Sequence, residues 1–82
     1  MPWHVIAYHL KQKKEDPWLA EDRVFRDAEF ASEQAMLDAI SSTRSELARR
    51  YPRPDYTILS GSGPESTSPD FPSFVTWLLR DA

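Results

Sequence analysis

The stretch from Phe30 to Ser60 places the tightest limit on what this chain can become, because it holds one helix with its own start and stop and a strand directly behind it. Met36, Leu37, Ile40, Leu47 and Tyr51 recur at spacings of three, four and seven, which aligns them as one apolar stripe on a 3.6-residue helix. Ser32 precedes the stripe as a cap for the free N–H groups of the first turn. Glu33 then meets the positive end of the helix dipole, and Arg49 and Arg50 meet the negative end. Pro52 and Pro54 forbid continuation. A helix over 33–51 is expected, about 28 Å long.

The flanking segments read as strands. Trp3 to Leu10, WHVIAYHL, is apolar on both faces: Trp3, Val5 and Ala7 alternate with Ile6, Tyr8 and Leu10. A strand of that kind belongs in the middle of a sheet covered on two sides. Arg23 to Phe30 alternates Val24, Ala28 and Phe30 with Arg23, Asp27 and Glu29, leaving Phe25 on its polar face, and reads as a half-buried second strand. Between them, Asp16 before Pro17 suggests a single helical turn over 17–21, with Trp18 and Leu19 tucked on the sheet edge. Asp55 to Ser60, DYTILS, supplies a third strand. A right-handed crossover through the helix returns the third strand parallel to the second, with room for the first between them. The expected fold is α+β, ββαβα, with a three-stranded antiparallel sheet in the order 2-1-3.

Gly61 to Pro69 holds both glycines, several serines and two prolines, and reads as a mobile loop with Gly61 to Gly63 as a hinge. Asp70 then opens a short helix over 71–80. Phe71, Phe74, Val75, Trp77, Leu78 and Leu79 make it apolar around most of its circumference. A helix of about ten residues does not persist alone in water. It must dock on the sheet face opposite the long helix or on another chain. On that ground Phe71, Phe74, Trp77 and Leu78, with Trp18, form the expected partner-binding surface, and a homodimer is the simplest partner.

Eighty-two residues make a single small domain with a thin core, and without cysteine it has neither disulfides nor cysteine-bound zinc to support it. Three Trp, three Tyr and four Phe meet part of that need as core aromatics. No segment approaches the roughly 20 apolar residues of a membrane span, and the apolar start lacks a basic leader and a cleavage site, so a cytoplasmic protein without membrane association is expected. A net charge of -3 disfavours nonspecific attraction to nucleic acid.

Candidate chemistry is sparse. His4 and His9 are an odd number of residues apart on a strand and fall on opposite faces, so they do not share a metal, and no cofactor is implied. No nucleophile turn of the G-x-S-x-G type occurs, and the glycines at 61 and 63 are too few for a phosphate-binding loop. Pro2 ahead of an apolar strand resembles the small oxalocrotonate-type tautomerases, in which an N-terminal proline acts as general base; the resemblance implies Pro2 as catalytic once Met1 is removed. Those enzymes run β-α-β, whereas a second strand intervenes here. A single-strand nucleic-acid binder would use Lys11, Lys13 and Lys14 with Arg49, Arg50 and Arg53 around an aromatic platform. Both are alternatives to the main expectation, a protein-binding or regulatory module without catalytic activity, of the kind found among small bacterial and mobile-element accessory proteins.

Overall fold

In the computed structural model, which describes residues 1–10 and 19–81, strand β1 (Trp3–His9) lies between β2 (Leu19–Phe25) and β3 (Tyr56–Ser62), antiparallel to both. Helix α1 (Glu33–Arg50) follows β2 after a 3-10 turn over Asp27–Glu29, and helix α2 (Phe71–Asp81) closes the described chain. The α+β class, the strand order 2-1-3 and both helices match expectation.

Period-two alternation in β1 builds two separate cores. Val5 joins Met36, Ile40 and Leu47 of α1, with Trp3, Phe25, Phe30, Tyr51 and Ile58 packed around them. Ile6, one residue on, joins Leu59 of β3 and Phe71, Val75 and Leu78 of α2. The sheet is thus the middle of three layers, and Val5, Ile6 and Ala7 are all 0% exposed. Ser32 accepts from the amide of Ala35 at 3.1 Å and caps α1 as its side chain requires. The last residue of the expected stripe to close the helix is Tyr51, whose amide still donates to the Leu47 carbonyl at 2.8 Å. Leu37, assigned to the buried stripe from sequence, is exposed. No helix among the described residues is long and apolar enough to cross a membrane.

Four expectations need correction. The second strand spans Leu19–Phe25, not 23–30, and residues 27–29 are a 3-10 turn. Pairing decides this: Phe25 is opposite Trp3, where β1 begins, so residues beyond it have no ladder to join. For the same reason Leu19 to Glu21 are strand and not part of a helical turn, since Tyr8 and Ala7 of β1 recruit them as partners; residues 11–18 lie outside the described part. Phe25, assigned to the polar face, packs into the α1 core with Phe30 at a ring-centroid separation of 6.1 Å.

The fourth correction concerns the glycines. β3 runs through Gly61 and Ser62, and neither glycine has a positive φ. They serve close approach, not a turn. A β-carbon on Gly63 would lie 2.5 Å from the Phe74 ring, whereas one on Gly61 would meet the tip of Leu78 at 2.8 Å. Beyond Gly63 the chain is held by His4, which is fully buried against Phe71 and Phe74. Its Nε2 lies 2.7 Å from the Pro64 carbonyl and its Nδ1 2.9 Å from Asp22 Oδ1, so each ring nitrogen has a polar partner within hydrogen-bond distance. Ser66 donates to the other oxygen of Asp22, which ties the segment after β3 to β2 across the buried ring.

A rigid aromatic ring yields less than the end of a leucine. Gly63→Ala should therefore destabilise the fold by about 1–3 kcal/mol, as overpacking does, and Gly61→Ala by clearly less. Urea unfolding of the two variants beside the wild type checks the order; equal losses would contradict it.

Candidate functional site

The ladder between β1 and β3 fixes which backbone groups of β3 remain unused. Leu10 donates its amide to the Asp55 carbonyl at 2.9 Å, and Gly63 donates to the Pro2 carbonyl at 3.0 Å. These two bonds bracket the ladder in one register, and antiparallel pairing alternates bonded and non-bonded residues. Thr57, Leu59 and Gly61 therefore bond to β1. Tyr56, Ile58, Ser60 and Ser62 turn their N–H and C=O groups away from it. Tyr56 N–H donates to the Pro52 carbonyl at 3.3 Å. Ile58, Ser60 and Ser62 are left facing the open side of the sheet, with no further backbone partner among the described residues.

That edge carries no charge. From Tyr56 to Ser62 there is no Asp, Glu, Lys, Arg or Pro, and the pairing to β1 runs without a bulge. The opposite edge is different. β2 carries Glu21, Asp22 and Arg23 in succession, and its register slips between Ala7 and Tyr8. Charges and irregular pairing are the usual protection of a sheet edge against strand addition, and β2 has both while β3 has neither.

Both helices border the β3 edge. On the α2 side Trp77 stands 56% exposed, stacked on Phe74 with centroids 6.5 Å apart. A groove of about 520 Å³ passes Trp77, Gly61, Ser62, Ser60, Trp3 and Arg44. A second, of about 550 Å³, continues along α1 past Leu37, Ser41, Arg44, Ser45 and Ala48. The flank thus combines unpaired peptide groups, one projecting indole and a helix surface of mostly short side chains.

Of the partner-binding residues expected from sequence, Phe71 and Leu78 are buried in this chain's own core and Phe74 is half-buried against His4. Trp77 alone is left at the surface, and Trp18 lies outside the described residues. The expectation counted apolar positions on the helix but could not see that β1 and β3 take one side of it. Sequence reasoning missed the β3 edge itself, although an uncharged strand placed third in a 2-1-3 order was the signal for it.

The six basic candidates fall partly outside the described residues. Lys11, Lys13 and Lys14 lie outside the described residues. Arg50 is 3.6 Å from Glu21 and 3.5 Å from Glu46, Arg53 donates to Thr57 Oγ1 at 3.1 Å, and Arg49 is exposed. Pro2 borders a cleft of about 500 Å³ with Met1, Arg26, Asp27, Pro64 and Glu65. The cation there, Arg26, is held by both oxygens of Glu65, one of them at 2.7 Å. His4 and His9 face opposite layers, His9 against Tyr56 with ring centroids 4.7 Å apart. Among the described residues no three His, Asp or Glu side chains are grouped to hold a metal ion.

Comparison with known proteins adds no relative: no family model, curated protein or solved structure matches the chain.

The ion-pair network at the other edge has its own pH signature. The Arg23 guanidinium, above all, holds the Glu21 carboxyl below the usual carboxylate range; burial opposes it, and the Tyr51 hydroxyl, which donates at 3.0 Å, adds a smaller lowering effect. A depressed folded pKa stabilises the fold above the unfolded carboxylate value, roughly pH 4.3, and the contribution fades as pH falls through the folded value. Its cationic partners Arg23 and Arg50 are 38% and 54% exposed, so solvent screening keeps the effect within about 1 kcal/mol. Glu21→Gln should be less stable than wild type at pH 7, with the gap closing as pH falls below the carboxylate range. Denaturation midpoints measured across that range check the sign, and a gap that widens on acidification would contradict it.

Proposed function

We propose that this chain is a protein-binding module that takes its partner by strand addition at the β3 edge, with Trp77 as the side-chain anchor. The observation that carries the reading is the contrast between the two edges of one sheet, β2 blocked by three charges and a register slip, β3 uncharged and regular. An added strand gains affinity from main-chain hydrogen bonds and specificity from the side chains beside it. Here the outward groups of Ile58, Ser60 and Ser62 supply the first. The indole of Trp77 supplies the second, a large rigid contact of the kind that dominates binding energy. A regulatory, non-catalytic role in the cytoplasm accords with this reading.

Two features weigh against the tautomerase alternative. The Pro2 cleft is lined by two carboxylates, Asp27 and Glu65, which would repel an anionic enol, and its one arginine is already paired. For the nucleic-acid alternative, Arg50 already lies between Glu21 and Glu46, which reduces the positive potential it would offer a phosphate.

A photo-crosslinking side chain at Ser62, beside the edge, should capture partner protein in host extract. The same group at Ser42, exposed on α1, should capture far less, and Ser60→Pro should abolish the Ser62 adducts. Pro at 60 removes only an N–H that points away from β1. Equal capture from both positions would remove the reading.

A further inference from the structure

We infer that the occupant of the β3 edge is a second copy of this chain, the two β3 strands pairing antiparallel about a twofold axis at Ser60 so that two three-stranded sheets become one of six. This inference rests on the strand-addition reading and names its partner.

A twofold axis perpendicular to a sheet generates an antiparallel strand pair by itself, so any open edge has the right symmetry for its own copy. The register follows from the unused groups. Ile58, Ser60 and Ser62 point outward, and Ser60 is their centre. Setting Ser60 against Ser60 of the copy places each Ile58 against the other Ser62 and engages the N–H and C=O of all three residues at once. A centre moved to Leu59 would draw in Tyr56, whose N–H already donates to Pro52.

Side chains agree with that register on both faces. On the α2 face each Leu59 lies opposite the copy's Gly61, so a leucine meets a residue without a side chain, beside the exposed Trp77. On the α1 face Ser60 meets Ser60, and the flanking stretch of α1 offers Ser41, Ser45 and Ala48, which let two α1 helices run side by side over the joined sheet. No charge in β3 meets its like across the axis. Arg44, which lines both grooves, is exposed and long enough to keep its guanidinium in water.

The area is sufficient. A strand of seven residues is about 23 Å long, and three layers of about 10 Å each make the flank roughly 30 Å deep. That gives about 700 Å² from each copy, close to the ~800 Å² per partner of a stable interface.

Sedimentation of the purified chain over the micromolar range should show twice the chain mass. Ser60→Pro should raise the dissociation constant at least about tenfold, since it deletes two symmetry-related hydrogen bonds at the axis. Ser60→Lys and Ser60→Asp should each be monomeric alone and form a dimer when mixed in equal amounts. The mixed pair keeps the test decisive if the proline variant fails to fold by circular dichroism. A wild-type monomer throughout, or a dimer indifferent to all three substitutions, overturns the inference. Amide exchange in a monomer separates this from failure of the reading beneath it. Fast exchange at Ile58, Ser60 and Ser62 leaves the edge open to a foreign strand and overturns only the second copy. Slow exchange means the chain covers its own edge, and both fall.

Discussion

Strand β1 is the element on which the rest depends, because it is hydrogen-bonded on both sides and covered on both faces. Its ladder fixes β2 and β3, and its alternating side chains fix which helix lies on which face: Val5 with α1, Ile6 with α2. Both cores are anchored on this one strand, so a domain this small has no core independent of it. Loss of β1 would strip both layers at once. The apolar character of both sides of Trp3–His9 is thus a requirement of topology, since a central strand with one polar face would leave one helix undocked.

His4 is the polar exception within that strand, and its position shows how such a core admits a polar ring. It faces the α2 layer, where Phe71 and Phe74 enclose it, and its two nitrogens reach the Pro64 carbonyl and Asp22. The segment after β3 is thereby brought back over the sheet before α2 begins. Gly61 and Gly63 complete the arrangement from the other side by letting Leu78 and Phe74 approach the strand more closely than a side chain would allow. The C-terminal helix is placed by a buried imidazole and two missing β-carbons as much as by its own apolar face.

The two edges of the sheet are treated unequally. β2 places three charged residues in succession, the usual protection of an edge against strand addition. β3 has no such device. An isolated domain under pressure only to stay monomeric would be expected to protect both edges, and this asymmetry is the observation on which the proposed role of the β3 flank rests. Trp77 strengthens the point: the most hydrophobic helix of the chain buries Phe71, Val75 and Leu78 and leaves its largest ring outside, next to the unprotected edge.

What the sequence determined alone were the elements governed by local chemistry. Ser32, the stripe from Met36 to Leu47 and the prolines at 52 and 54 delimit α1 because capping, periodicity and ring closure act within a few residues. The doubly apolar Trp3–His9 likewise dictated a central strand, and with it the order 2-1-3. Tertiary structure alone decided the rest. β2 begins and ends where β1 offers partners, which shifted it from 23–30 to Leu19–Phe25 and moved Phe25 from the supposed polar face into the core. It divided the apolar residues of α2 into Phe71 and Leu78 within and Trp77 without, since only the position of β1 and β3 beneath the helix distinguishes them. And it turned Gly61 and Ser62 from a hinge into the end of an open edge, because hydrogen-bond parity along a strand is set by the neighbour it pairs with and not by the residues it contains.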